Sequence, residues 1–165
     1  MLKTAFYHSP IGCFKMEGNA HSITSVQLLQ GQEAPPEDYQ DAAEHLVEAV
    51  RQLSEYFHRQ RKTFDLPLDF SEGTLFNQSV WRKLLKIPYG HTTTYSAIAS
   101  QIGNPDAVRA VGLANRNNPI AIIVPCHRVI GKSGGLQGYF YGLEVKRKLL
   151  QLENPMSFGE QGSLF

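Results

Sequence analysis

The tripeptide Gly103-Asn104-Pro105 constrains the fold more than any other stretch of the chain. It separates two short apolar-periodic segments, Ala97-Ile98-Ala99 with Ile102 on one side and Ala107, Val108, Ala110, Val111 and Ala114 on the other. Glycine stops a helix in the left-handed conformation, asparagine is a strong N-cap, and proline suits the first helical position. The pattern predicts one helix, capped by Thr94 or Ser96, that ends at Gly103. A second helix follows, capped by Asn104. Two short helices joined this tightly form a helix-turn-helix.

The surrounding chain divides in two. Residues 4–28 read as a β-meander, with Gly18-Asn19 as a turn between strand-like runs. Two prolines make Glu33-Ala34-Pro35-Pro36-Glu37-Asp38 a loop. Tyr39, Ala42, Ala43, Leu46, Val47, Val50, Leu53 and Phe57 then recur at helical spacing. Glu37, Asp38 and Asp41 are expected at the start of that helix, and Arg59, Arg61 and Lys62 at its end, where they suit its dipole. Thr63 to Phe70 reads as one more short strand, and Ser71-Glu72-Gly73 breaks the chain. Beyond it, Phe76, Val80, Leu84 and Leu85 form an apolar helical stripe closed by Pro88-Tyr89-Gly90. Ile120 to Val124 is a short buried run, Gly131 to Gly135 a flexible loop, and Val145 to Glu153 a last helix. The segment after Asn154-Pro155 has no clear pattern. The fold class is therefore α+β: a small N-terminal sheet with a helix over residues 1–72, then a mostly helical domain over 73–165.

Several function classes fall away. No run approaches the roughly 20 apolar residues of a membrane span, and the N-terminus lacks the apolar core of a signal peptide. Two cysteines, Cys13 and Cys126, exclude a disulfide scaffold and point to a reducing, cytoplasmic setting. Neither they nor the six histidines show metal-ligand spacing, and no glycine loop is built to cradle phosphates. The two halves differ in charge. Residues 1–72 carry six Lys and Arg against eleven Asp and Glu, and residues 73–165 carry ten against four. A basic half attracts polyanions, although ordinary surface charge has the same look.

Two features carry chemistry. The second helix of the pair offers Ala107, Ala110, Gly112 and Ala114, with Arg109 as the long cation near its start. Small residues let a backbone approach a partner surface, and an arginine among them reaches between bases or into a groove. The same pattern fits a helix packed on the core with Arg109 in water. Pro125-Cys126-His127-Arg128 is the second feature. A thiol reacts as its thiolate, and an imidazole takes the proton. Adjacent residues of a strand point to opposite faces, so this pair cooperates only if Pro125 turns the backbone or a water bridges the two. Glu153 would fix the imidazole tautomer if it reached the far ring nitrogen. Cys13 and Trp81 read as core residues.

The order of Arg109-Ala110-Val111-Gly112, Arg116-Asn117-Asn118-Pro119 and Ile123-Val124-Pro125-Cys126-His127-Arg128-Val129-Ile130-Gly131 resembles the 6-O-alkylguanine-DNA alkyltransferases. The resemblance spans roughly Thr74 to Glu153 and extends to residues 1–72 only in layout, as a ribonuclease-H-like domain. It implies a monomer that binds double-stranded DNA in the minor groove and rotates an alkylated guanine into a pocket. It assigns Arg109 as the finger that fills the gap in the stack, with Ala107 and Ala110 lying close in the groove. Tyr95 is the tyrosine that turns the nucleotide and protonates the base, Asn118 the tie between recognition helix and active-site loop, and Tyr139 the aromatic pocket wall. Glu153 orients His127, His127 draws the thiol proton away through a water, and Cys126 takes the alkyl group. The substrates implied are 6-O-alkylguanine and 4-O-alkylthymine in DNA, in a single turnover that needs no metal and no organic cofactor. Phe140 and Tyr141 are bulky where many relatives carry small residues, so they either narrow the pocket or face outward. Two other readings compete: a lesion sensor without chemistry, and a cysteine hydrolase or acyltransferase built on Cys126 and His127.

Overall fold

A computed structural model describes residues 3–31, 34–132 and 139–158. The chain forms two compact units. One comprises Met1–Phe70 with Pro119–Ala121, the other Ser71–Asn118 with Ile122–Phe165. No helix among the described residues is long and apolar enough to cross a membrane.

The first unit is built on β1 (Thr4–Ser9), β2 (Gly12–Gly18) and β3 (Ile23–Leu28), an antiparallel sheet in that order. Its register aligns Ala5 with Met16, Tyr7 with Phe14, Phe14 with Leu28 and Met16 with Val26. Period-two alternation puts all of these on one buried face. The turn at Asn19 closes through its side-chain oxygen, which accepts the amides of His21 and Ser22. Helix α1 (Glu44–Phe57) covers the buried face with Leu46, Ala49, Val50, Leu53 and Tyr56. Phe57 meets the rings of Tyr7 and Phe14 at 6.5 and 6.0 Å.

Helix α1 starts later than its periodicity predicts. Phe6 and Asp38 exchange both backbone hydrogen bonds, and the Glu37 carboxylate accepts the amide of His8. These bonds hold residues 37 and 38 extended, so Glu37, Asp38 and Asp41 lie ahead of the helix and Glu44 alone is acidic in its first turn. Its last turn holds no basic residue; Arg61 instead reaches back to Glu55 at 2.8 Å. The strand expected from Thr63 to Phe70 does not form. Leu68 makes one isolated bridge to Ile23, because Ile120 takes the next place along β3 at Val26.

The second unit contains α2 (Leu75–Leu84), β4 (Thr93–Thr94), α3 (Tyr95–Gln101), α4 (Val108–Arg116), a one-turn 3-10 helix (Cys126–Arg128), β5 (Val129–Ile130), α5 (Leu143–Glu153) and α6 (Pro155–Phe158). Thr74 and Thr94 cap α2 and α3 through their hydroxyls, and Ser96 bonds to Thr94 rather than capping. The stripe on α2 buries Val80 and Leu84, but Leu85 is exposed. Trp81 is core, and its indole N–H donates to the Ala114 carbonyl on α4 at 2.8 Å.

Helices α3 and α4 pack against each other, as the helix-turn-helix pattern predicts. The turn differs in one respect. Gly103, at φ +81°, donates to Ser100, and the Asn104 amide donates to Ala99, which closes a Schellman motif on α3. Residues 104–107 form a separate turn, and α4 begins at Val108 after Ala107 with no side-chain cap. Of the loop expected at Gly131 to Gly135, residues 133–135 lie outside the described residues, as does the chain beyond Phe158.

Candidate active site

The loop before Cys126 is built to turn sharply. Ile122 is buried with φ +69°, a conformation that a β-branched residue rarely adopts. Pro125, at φ −82° and ψ 64°, is the centre of an inverse γ-turn that the Cys126 amide closes onto Val124 at 2.8 Å. Arg128 then donates its amide to the Pro125 carbonyl and completes the 3-10 turn. Proline thus supplies the turn that the sequence demanded: Cys126 and His127 leave strand geometry and sit in one helical turn.

His127 is fully buried, and its Nε2 lies 2.6 Å from Glu153 Oε2. An ionised carboxylate only accepts, so Nε2 carries the hydrogen and Nδ1 presents its lone pair. Nδ1 is buried and has no hydrogen-bond partner among the described residues. Burial lowers the imidazole below its ordinary value against the opposing pull of Glu153, which keeps it neutral and basic at pH 7. Glu153 is gripped from three sides. Arg128 donates to it through Nε at 2.8 Å and Nη2 at 3.1 Å, and the Gly90 amide donates at 3.3 Å. Gly90 stands at φ +77°, where a side chain would be strained. The remaining Arg128 arm caps the Ile87 carbonyl at 2.7 Å, and its guanidinium lies over the Tyr89 ring. Burial alone would raise the Glu153 carboxyl, but the His127 and Arg128 contacts hold it far below the usual carboxylate range.

Cys126 is 5% exposed. The Asn118 amide donates to its sulfur at 3.1 Å and to the Val124 carbonyl at 2.8 Å. Tyr139, itself buried, hydrogen-bonds the thiol, and Tyr95, the first residue of α3, is within electrostatic reach of it. Burial pushes the thiol up; Asn118, the Lys146 cation and Tyr139 work against that. The resting group is a thiol and needs a base. Burial raises the Tyr95 and Tyr139 hydroxyls too, so both keep their protons at neutral pH.

Three residues of this cluster were not singled out for roles by sequence reasoning. Asn115 donates to the Cys126 carbonyl at 3.3 Å and hydrogen-bonds Tyr95. Arg128 clamps Glu153. Lys146, wholly buried on α5, donates to the Val129 carbonyl at 2.6 Å. The only signal for Lys146 is its position on the apolar stripe of the last helix, between Leu143 and Leu149–Leu150. Burial lowers its ammonium from 10.5 to about 8. Between those two values the unfolded chain binds more protons than the folded one, so stability rises with pH across that window. Lys146→Met removes this component. Urea unfolding of both proteins at about pH 7.5 and about pH 10 should show the wild type gaining about 2 kcal/mol relative to the variant. Equal gains would contradict the burial of a charged amine.

The other expected site residues lie elsewhere on the same unit. Arg109 and Ala110 are exposed at the start of α4 and Ala107 is half-buried just before it; none belongs to the Cys126 cluster. Arg109 has no ion pair or side-chain hydrogen bond among the described residues. Leu113, 60% exposed, stands one turn further along. A side chain at Gly112 would touch the Tyr95 ring, so α3 and α4 approach closely there. Asn115 and Asn118, at the far end of α4, are the residues that hold Cys126. Helix α4 therefore carries an exposed arginine at one end and the grip on the thiol at the other. Phe140 faces outward, 56% exposed, with the Arg116 guanidinium over its ring.

Comparison with known proteins gives consistent results. Residues 75–155 match the family model described as 6-O-methylguanine DNA methyltransferase, DNA binding domain. Residues 2–70 match the model for the ribonuclease-like domain of the same proteins. A methylated-DNA–protein-cysteine methyltransferase of Methanosarcina acetivorans is 50% identical over 90% of this chain and 96% of its own. The crystal structure of the Mycobacterium tuberculosis O6-methylguanine methyltransferase superposes with a TM-score of 0.82 at 46% identity, over 94% of each chain. A structure of the Mycobacterium tuberculosis protein in complex with DNA gives 0.81 at 48% identity, over 91% of each chain.

Proposed function

The chain belongs to the 6-O-methylguanine DNA methyltransferase family, and from that premise we propose how its residues divide the work. The protein repairs DNA by moving an alkyl group from 6-O-alkylguanine to its own cysteine. Residues 73–165 form the DNA-binding and alkyl-acceptor domain and residues 1–72 the ribonuclease-like domain, a division that the two matched regions support. Cys126 is the acceptor. The observation that carries this assignment is its setting: a buried thiol with hydrogen-bond donors aimed at its sulfur, in the same turn as a neutral histidine oriented by Glu153.

The reaction is a displacement at the alkyl carbon. His127 Nδ1 takes the Cys126 proton through a water, and Glu153, held in place by Arg128, stabilises the imidazolium that results. The sulfur–carbon bond forms as the bond to guanine oxygen breaks. The electron pair stays on the ring, where Tyr95 donates a proton, and Asn115 keeps that hydroxyl beside the Cys126 carbonyl. Asn118 and Tyr139 hydrogen-bond the developing thiolate. Intact guanine remains in the DNA and an S-alkyl cysteine remains in the protein. A thioether has no ready leaving group, so each monomer acts once. 4-O-alkylthymine presents the same alkyl–oxygen bond and is the second substrate. The substrate sets the workplace where the chromosome lies, which in a bacterial cell is the cytoplasm.

The test is to incubate the protein with a duplex carrying one 6-O-methylguanine and map its peptides by mass spectrometry. One methyl on the Cys126 peptide, saturating at one per chain, is expected. Repeated turnover, or an unmodified chain, would overturn the reading.

Arg109 is the finger that occupies the stack when the base leaves it, with Ala107 and Ala110 against the groove. Unstacking costs a few kcal/mol, and each 1.4 kcal/mol is tenfold, so Arg109→Ala should slow repair of duplex DNA roughly 100-fold. Reaction with free 6-O-methylguanine should stay near the wild-type rate, and equal losses on both would contradict the assignment.

A further inference from the structure

A cleft of about 490 Å³ lies between the end of α2 and β4, outside the Cys126 cluster. Lys83, Lys86, His91, Thr92, Thr93 and Gln101 line it, and no carboxylate does. Neither lysine forms an ion pair among the described residues. His91 directs Nδ1 to the Tyr89 carbonyl, leaving Nε2 outside that bond. Lysines in the last turn of a helix serve its dipole, which accounts for Lys83 but not for the other donors around it. Ammonium groups, hydroxyls, an imidazole and an amide around a cleft without acids match the oxygens of a phosphodiester.

The chain leads from the cleft to the site along β4. Thr93 lines it, and Tyr95 follows two residues later. Two extended residues span roughly 7 Å, and one DNA strand advances about 3.4 Å along the axis per nucleotide. We propose that this cleft seats backbone phosphates about two nucleotides from the lesion, on the strand that carries it, and so fixes the register in which the damaged base meets Tyr95. The inference rests on the DNA-repair reading given above.

The test compares wild type with the K83A/K86A variant in duplex binding over a range of salt concentrations. Each phosphate contact contributes about 0.9 to the slope of log affinity against log salt. The variant should lose about 1 to 2 from that slope while reacting with free 6-O-methylguanine at the wild-type rate. An unchanged slope overturns the inference and leaves the repair reading intact. A wild type without affinity for the duplex overturns the repair reading and the inference with it. The amide signals of Thr92 and Thr93 give a second measure on the unmutated protein. They should shift with unmodified duplex at far lower concentration than with inorganic phosphate; the reverse order would make this a site for a free anion and overturn the inference.

Discussion

Cys126→Ala is expected to abolish alkyl transfer and leave affinity for duplex DNA within about threefold of the wild type, a difference under 1 kcal/mol. The structure explains why the two properties separate. The substitution removes one sulfur from a buried position, and the Asn118 amide that donated to it keeps the Val124 carbonyl as partner. The Tyr139 hydroxyl loses the thiol as partner, but no backbone bond of the loop involves the sulfur, so the loop keeps its turn at Pro125 and α4 keeps its attachment through Asn115. The exposed face of α4, with Arg109, is untouched. Cys126→Ser is the sharper control. A hydroxyl can accept the same Asn118 bond, but neutral His127 cannot deprotonate it to a useful extent, so transfer should fail there too. Gel-shift titration and peptide mapping on the same samples check both halves. Methyl transfer to any other residue, Cys13 included, would overturn the choice of nucleophile. Cys13 is an unpromising rival: burial raises its thiol, which donates only a weak bond, to the Phe14 carbonyl, among the described residues.

Much of this site was legible in the sequence because its parts are local. Pro125-Cys126-His127-Arg128 is contiguous, and a proline ahead of a reactive pair is a visible device for turning the chain. The helix-turn-helix was legible because glycine and proline punctuate chains strongly. Misreadings occurred where a distant partner decided the outcome. Tyr39, Ala42 and Ala43 look helical until Phe6 claims the Asp38 backbone just before them, and Thr63 to Phe70 looks like a strand until its neighbour on β3 is already bonded. Asn104 has the right chemistry for an N-cap, yet it opens a separate turn that the Ala107 amide closes on its carbonyl, and α4 begins only at Val108. Lys146 was invisible as a site residue for a different reason. A lysine on an apolar stripe reads as a snorkelling surface residue, and only the fold turns it inward to the Val129 carbonyl beside Cys126. Asn115 was lost among neighbouring asparagines at 117 and 118, which the sequence cannot rank.

Glu153→Ala should be the most destabilising single change in the DNA-binding unit. Glu153 is 7% exposed and sits between His127 Nε2 and the Arg128 guanidinium. Removing it leaves Arg128 charged and buried with only the Ile87 carbonyl and the Tyr89 ring, and leaves the His127 N–H without an acceptor. Breaking one partner out of a buried ion pair costs about 3–5 kcal/mol, measurable by urea denaturation. The loss carries a pH signature. Because the folded carboxyl is held below its ordinary 4.5, its contribution is complete above that value and fades as pH falls through the folded value. Wild type should therefore lose stability on acidification below about pH 4.5, and the alanine variant should lack this component. Glu153→Gln separates chemistry from folding. The amide keeps the shape and one acceptor, but it no longer holds the imidazole in one tautomer or balances an imidazolium. Transfer from free 6-O-methylguanine should fall by about 10²-fold while the variant stays folded. It should also move the acid limb of the pH profile to lower pH, since His127 loses the carboxylate that raises its pKa and the neutral imidazole persists further into acid. Glutamine restoring both stability and the wild-type pH profile would reduce Glu153 to a packing residue and leave His127 without its orienting partner.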